Sequence, residues 1–366
     1  MFSLNELKGI LKPYFKIDNR RLDCLVQILI SLITVRTVNL VEIAQAMIAG
    51  GTFDARYKRL RRFFKEFKAF DFEVLSKFIA QYFLPVGSRW QMSMDRTNWK
   101  WGKADINILM LSIVCGSVTI PLVWKFLPKK GNSNFKERVE IVEKFIRIFG
   151  SNIISELLAD REFGGEQWFK WLSEKKIPFT IRIRKNTLVN SAKGNEQHVR
   201  RLFINLKSGQ VRHLLKQKAI FGLPLWLAAT RAEGGEWVIV ATTHKPEEAL
   251  SRYKKRWNIE TLFGFLKSKG FNFEDTHITH PQRLHNLLSV LTLSFCFAYK
   301  TGQILTKELP LKNKKHGRPE RSVLRVGLDF LREVFFKIER SVDNFTGNVG
   351  SIFRENWIVG LVFSGG

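Results

Sequence analysis

The chain has 366 residues, 45% of them hydrophobic, enough for two or three domains or one large elaborated domain. Lys and Arg number 60 against 33 Asp and Glu, a net charge of +27; such a surface repels itself unless a polyanion is near, nucleic acid before a membrane, because bound Lys and Arg release condensed counterions. The three cysteines (Cys24, Cys115, Cys296) lie far apart without C-x-x-C or zinc spacing, which argues against a disulfide framework and for a reducing, cytoplasmic setting.

Residues 1 to about 85 read as helical. Acidic and basic residues by position 8 leave no signal h-region, and there is no lipidation motif. Leu25, Ile28, Leu29 and Leu32 recur with helical spacing. The apolar stretches 24–35 and 287–298 are too short to span a bilayer and read as buried core helices, so no membrane partner is expected. Asn39 is suited to cap a helix through Val41, Ala44 and Met47 that Gly50-Gly51 ends. The segment TFDARYKRLRRFFKEFK follows, with Asp54 as cap and Arg56, Lys58, Arg59, Arg61, Arg62, Lys65 and Lys68 along it. Helix, glycine turn and basic helix is the outline of a helix-turn-helix DNA reader, which makes Arg59, Arg61 and Arg62 candidate DNA contacts. A solvated basic face on a small bundle gives the same pattern.

From about 88 the period changes. Trp90, Met92 and Met94 alternate with Gln91, Ser93 and Asp95, and the apolar runs 106–115 and 118–127 flank Gly116-Ser117, which together read as a three-strand meander. Residues 134–149 are helical, IISELLAD is a strand ending at Asp160, a helix runs through Trp168, Trp171 and Leu172, and FTIRIRK is a strand. That order predicts a mixed α/β sheet with helices on its faces. Arg182 and Arg184, two apart on the last strand, point to one face and are candidates to line a DNA channel. Residues 186–244 read as a β-rich insertion with a turn at Gly234-Gly235. Helical periodicity returns at 246–269 and at 281–305, the segment 307–321 is a basic linker, and an amphipathic helix covers 322–337. The expected organisation is a helical DNA-binding domain over 1–85, a catalytic domain over 86–305, and a basic linker with a C-terminal helical region over 306–366.

The sharpest feature is YKKRWNIETLFGFLK, 253–267. Tyr253, Arg256, Glu260 and Lys267 fall 3, 4 and 7 residues apart, offsets that return to one side of a helix at about 100° per residue. Ile259, Leu262, Phe263 and Leu266 form a separate apolar stripe. One helix thus presents an acid flanked by an aromatic and two cations beside its core face. An Arg256–Glu260 surface pair alone leaves Tyr253 and Lys267 unexplained, and Gly264, weak in a helix interior, marks a close approach of backbone.

This spacing, Tyr-x2-Arg-x3-Glu-x6-Lys, resembles the signature of the DD-E transposases of bacterial insertion sequences, in the insertion-sequence-four family. MDRTNW (94–99) is similar to the segment around that family's first acid and ADREF (159–163) to that around its second. The resemblance covers roughly 90–300. It implies a ribonuclease H-like core with Asp95 on the first strand, Asp160 at the end of the fourth, Glu260 on a later helix, and a β insertion before it. It further implies that the three acids are catalytic and hold two Mg²⁺ (or Mn²⁺) ions, Asp95 bridging both. Such ions take oxygen ligands, and two of them can activate the attacking oxygen and stabilise the leaving one.

Arg256 and Lys267 are suited to hold phosphates beside the ions, and Tyr253 to donate to a phosphate or stack. Thr97 and Asn98 are candidates to contact the scissile region. Glu162 and Asp105 are rival acids, Glu162 read as a salt-bridge partner. Relatives with this signature form hairpins on the transposon end, which needs a flipped base; Trp226 or Trp237 could receive it, or be core. His277, His280 and His285 lack the partners of a zinc site. The expected function is cut-and-paste transposition by a bacterial, nucleoid-associated enzyme, with double-stranded inverted-repeat ends and target DNA as partners and a homodimer pairing the ends. A hydrolytic nuclease of the same fold and a non-catalytic DNA-binding derivative are the alternatives.

Overall fold

A computed structural model describes residues 4–48, 51–67, 70–85, 87–190, 194–315 and 319–340. Gly50, Lys68 and the C-terminal stretch 341–366 lie outside the described residues. The chain divides into two compact units, Met1–Pro85 with Gly264–Gly366, and Val86–Phe263. The boundary expected near 305 falls at Phe263, because the later helices pack among the N-terminal ones.

In the helical unit, α1 (Leu4–Leu11), α2 (Asn19–Val35), α3 (Leu40–Gln45), α4 (Phe53–Glu66) and α5 (Phe72–Phe83) come first. Asn39 caps α3, accepting from Val41 N at 2.9 Å, but α3 stops at Gln45, short of Met47. Thr52 rather than Asp54 caps α4. Thr52 has the extended backbone a cap needs and accepts from Ala55 N, while Asp54 already lies in the first turn, beside the positive end of the helix dipole. α2 is buried on nearly every side.

The sheet unit is built from β1 (Trp90–Trp101), β2 (Ala104–Cys115), β3 (Val118–Phe126), α6 (Phe135–Phe149), β4 (Ile154–Ala159), α7 (Glu166–Glu174), β5 (Phe179–Ile183) and six further strands. Those are β6 (Leu188–Asn190), β7 (Glu196–His198), β8 (Val211–His213), β9 (Lys218–Ile220), β10 (Leu223–Arg231) and β11 (Trp237–Thr242), followed by α8 (Ala249–Lys254) and α9 (Asn258–Leu266). The nine-stranded sheet runs β3-β2-β1-β4-β5-β11-β10-β8, with β9 on β10. β1, β2 and β3 form the antiparallel meander, turning at Gly116 with φ 56°, and β4 and β5 run parallel to β1. This is the mixed α/β, ribonuclease H-like order. The strands at its centre read apolar on both faces because both faces are covered. The capping box of Asn134 and Glu137 starts α6. The insertion is β-rich and its two parts differ: β11 pairs with β5 and carries β10, β8 and β9, widening the main sheet, while β6 and β7 form a two-stranded sheet of their own.

Two last helices, α10 (Pro281–Glu308) and α11 (Val323–Arg340), complete the helical unit. The run 287–298 belongs to this longer element: α10 has 28 residues and, by length and composition, could cross a membrane, but 89% of its apolar window is buried inside the fold. Buried Asn286 donates to Phe64 O and Phe67 O at 3.1 and 2.9 Å, tying α10 to the end of α4. α10 and α11 cross at two glycines. A Cβ on Gly327 would lie 1.9 Å from Ala298 O, and one on Gly302 1.9 Å from Val323 O. Gly327→Ala is therefore expected to force the helices apart and cost about 3 kcal/mol, read as an earlier midpoint in urea unfolding.

Candidate active site

Strand register brings the first two acids together. Met94 pairs with Ala159 across the parallel β1–β4 ladder, so Asp95 and Asp160 are the next residues on neighbouring strands. Side chains alternate along a strand, which puts Gln91, Ser93 and Asp95 of β1 on the same face as Glu156, Leu158 and Asp160 of β4. β4 ends at Ala159 and Asp160 opens a 3₁₀ turn, Arg161–Phe163. Arg138 holds that turn by donating to Glu162 O at 2.9 Å and to Ser133 O at 2.7 Å.

The third acid comes from the segment after the insertion. The single helix expected over 246–269 is broken: a 3₁₀ turn at Lys255–Trp257 separates α8 from α9. A tighter turn changes the angular spacing of side chains, so the motif does not form one straight stripe. Its members still converge. Arg256 Nη1 donates to Asp95 Oδ2 at 2.8 Å and its Nη2 to Glu260 Oε1 at 3.0 Å. Tyr253 Oη donates to Asp160 Oδ1 at 2.9 Å. All three acids therefore have a partner from this segment. The insertion supplies the seat: the Tyr253 ring and Ala249 pack on Ala228, Val238 and Val240 of β10 and β11.

Burial sets the electrostatics. It pushes the Asp95 carboxyl up to about 6; Arg256 and the Arg96 backbone N–H oppose the rise, and the Glu162 and Asp160 carboxylates add to it. Burial also raises the Tyr253 hydroxyl, with Arg256 opposing and Asp160 adding, so Tyr253 is a neutral donor. For Arg256 burial works against the charge, but Tyr253, Asp95 and Asp160 outweigh it and the net shift is upward. Among the described residues, Nε of Arg96, Arg182 and Arg256 and Oε1 of Glu162 are buried polar atoms near the acids without a hydrogen-bond partner, which leaves these groups able to take one.

The other predicted residues are distributed as follows. Arg182 lies 3.8 Å from Asp160 and donates to Glu236 and Trp237 O. β5 ends at Ile183, so Arg184 is not the strand residue expected; it lies beyond, where it lines with Arg182, Arg161 and Trp237 a cavity of about 290 Å³. Trp226 and Trp237 are both half-buried rather than core, and Arg231 stacks over the Trp237 ring. Thr97 and Asn98 continue β1 past Asp95, and Asn98 accepts from Arg96. Glu162 pairs with Arg96 at 3.4 Å, as read, whereas Asp105 sits opposite Lys100 and pairs with Lys130.

Lys267 lies beyond the end of α9, within the helical unit, paired with Glu274 at 2.7 Å. The nearest atoms to a Cβ on Gly264 would be those of the Lys269 side chain, from 3.4 Å. In the helical unit Arg59 turns inward to Asp23 and Arg20 O, which leaves Arg61 and Arg62 as the exposed members of that trio. His285 contacts Phe70 O. Arg96, inside the MDRTNW motif, belongs to the site as well, and its place next to Asp95 is its one sign in the sequence.

The donor set suits a hard divalent cation, being all carboxylate oxygen, and the orphaned Glu162 oxygen is a further donor. Among the described residues no three such side chains already close on one point. The Arg256 guanidinium stands between Asp95 and Glu260 and neutralises them. By donor chemistry the acids suit such an ion, and in this structure Arg256 takes the place of a cation at two of them.

Residues 93–297, more than half of the chain and including all three acids, match the Transposase DDE domain family. No curated protein matches the chain. In fold it is similar to a piggyBac transposase in a cryo-EM structure of its synaptic complex with hairpin DNA, with 11% identity, a TM-score of 0.47, and 96% of this chain and 81% of that one covered. The strand order, not that overlap, carries the fold assignment.

Proposed function

The chain belongs to the Transposase DDE domain family, and from that premise we propose that it is a cut-and-paste transposase of the insertion-sequence-four kind with Asp95, Asp160 and Glu260 as its catalytic acids. The observation that carries this reading is the hydrogen bonding of all three acids by Tyr253 and Arg256. Three carboxylates from positions 65 and 100 residues apart in a chain of net charge +27 have an evident use as metal ligands.

Asp95, Asp160 and Glu260 would hold divalent ions, Mg²⁺ or Mn²⁺. When bound, such ions would supply an activated oxygen nucleophile and stabilisation of the leaving oxyanion. The chain's own residues do the rest. Arg256, released from the acids, holds the two non-bridging phosphate oxygens bidentately. Tyr253 stays neutral and orients Asp160. Arg182 and Arg184 line the DNA path, and Lys267 is the second phosphate contact of the motif. Trp237, at the cavity beside them, is the platform for a base flipped during hairpin formation. The helical residues 1–85, with Arg61 and Arg62 exposed, bind the inverted-repeat ends, and a homodimer pairs two ends in the cytoplasm at the nucleoid.

The experiment is incubation of the full chain with the element's own end DNA and Mg²⁺. Nicks at the repeat boundary with free 3′-hydroxyls, followed by joined products with target DNA, are expected. Cleavage without joining favours the hydrolytic nuclease. Binding with neither product ends the catalytic reading and leaves a DNA-binding derivative.

A further inference from the structure

A second polar row lies under α8, on the sheet face that carries the acids, and the reaction chemistry does not use it. Its centre is Glu156, 2% exposed, four residues before Asp160 on β4. Glu156 accepts from Gln91 Nε2 of β1 at 2.8 Å and from the Thr180 hydroxyl of β5. The Thr180 hydroxyl also meets Thr242 of β11 at 2.7 Å. The counter-charge comes from the helix: Arg252 Nε donates to Glu156 Oε1 at 3.3 Å, and its Nη2 donates to Lys245 O at 3.0 Å. Four neighbouring strands are thus tied to one arginine.

Energetically this is a poor way to add stability. Desolvating two charges offsets most of their attraction, and apolar residues of like volume often serve as well or better. What such a pair provides is a defined register. Arg252 immediately precedes Tyr253 and stands one helical turn before Arg256. A one-residue rotation of about 100° would pull Arg252 from Glu156 and, with it, the Tyr253 hydroxyl from Asp160 and the Arg256 guanidinium from Asp95. We infer that Arg252 and Glu156 are positioning residues, a latch that sets the rotation of the 249–257 segment so that Tyr253 and Arg256 meet the acids. The inference rests on the proposed function for its catalytic consequence only; the pinning is a property of the fold.

The test uses the full chain in three forms: wild type, Glu156→Gln with Arg252→Met together, and Arg252→Lys. The double variant removes both charges and so leaves no buried charge unpaired. Its melting temperature is expected near that of wild type. Hydrogen exchange over 249–257 is expected to accelerate about tenfold or more while exchange in β4 stays slow. End cleavage is expected to lose roughly 10- to 100-fold in kcat, the scale of a misplacement of about 1 Å, with KM for end DNA unchanged. Arg252→Lys keeps the charge without the planar fork and should fall between the two in both readouts. Unchanged exchange in these variants overturns the inference, and so does faster exchange with undiminished kcat. Should the double variant fail to fold, Arg252→Lys reads both quantities alone. Should wild type cut nothing, the functional reading fails, while exchange still decides whether the latch exists.

Discussion

Asp95→Asn is expected to cut end cleavage by about a thousandfold or more while leaving end binding intact. Asparagine keeps the shape of the side chain but removes the charge that would hold an ion, and the lost stabilisation of several kcal/mol converts at about 1.4 kcal/mol per tenfold. Asp160→Ala is expected to do the same. The two differ in what they do to the fold. The Asp95 carboxyl rises from its ordinary 3.8 to about 6, so the folded chain holds a proton that the unfolded chain releases. The stability tied to that proton is fully present below about pH 4 and is lost as pH rises through about 6. Above that range wild type carries a buried charge that asparagine avoids. Without added metal, Asp95→Asn should therefore melt higher than wild type at pH 8, by an amount on the order of 2–3 kcal/mol, with the difference vanishing near pH 4. A variant that melts lower at pH 8 would show that the Arg256 attraction exceeds the cost of burial.

Arg256→Met is expected to give the largest loss of stability among single changes at the site. Arg256 is 4% exposed and pairs with both Asp95 and Glu260. Removing it leaves Asp95 buried among carboxylates with no cation, and breaking a buried pair from one side costs about 3–5 kcal/mol. Divalent ions should return part of that loss, because a ligand that binds only the folded state stabilises it by mass action. A melting series in Mg²⁺ and Mn²⁺ should raise Arg256→Met more steeply than wild type, since in wild type the ion must first displace the guanidinium. Equal slopes would mean that Arg256 does not stand where an ion binds.

The order of strands and helices was open to reading from the chain, because periodicity changes sharply at 88 and at 246 and because Asp95 and Asp160 sit in short distinctive segments. The two facing arginines of the last core strand and the straight run of Tyr253, Arg256, Glu260 and Lys267 were read too regularly. Periodicity cannot reveal that the backbone tightens at Lys255–Trp257 or that β5 stops at Ile183; both depend on packing against partners far away in the chain. Nor could it reveal that the insertion continues the main sheet, since β11 looks the same whichever strand it joins. The cap of α4 lies two positions before the residue that cap chemistry alone favours, since Asp ranks above Thr and only the extended backbone at Thr52 decides. Glu156 and Arg252 carried a faint signal: an acid at an inward position of an apolar strand, and an arginine four residues before Arg256.

The contact between Arg256 and Asp95 spans 161 positions of the chain, so under the proposed function a newly made copy would become able to cut DNA only late in its synthesis. As the ribosome releases the polypeptide, β1 and β4 can pair early, but the segment bearing Glu260 emerges only after the whole insertion. Until then the two strand acids have neither their third companion nor the arginine that steadies them. On that proposal, a copy whose synthesis stops short of 260 would be a basic fragment that cannot cut.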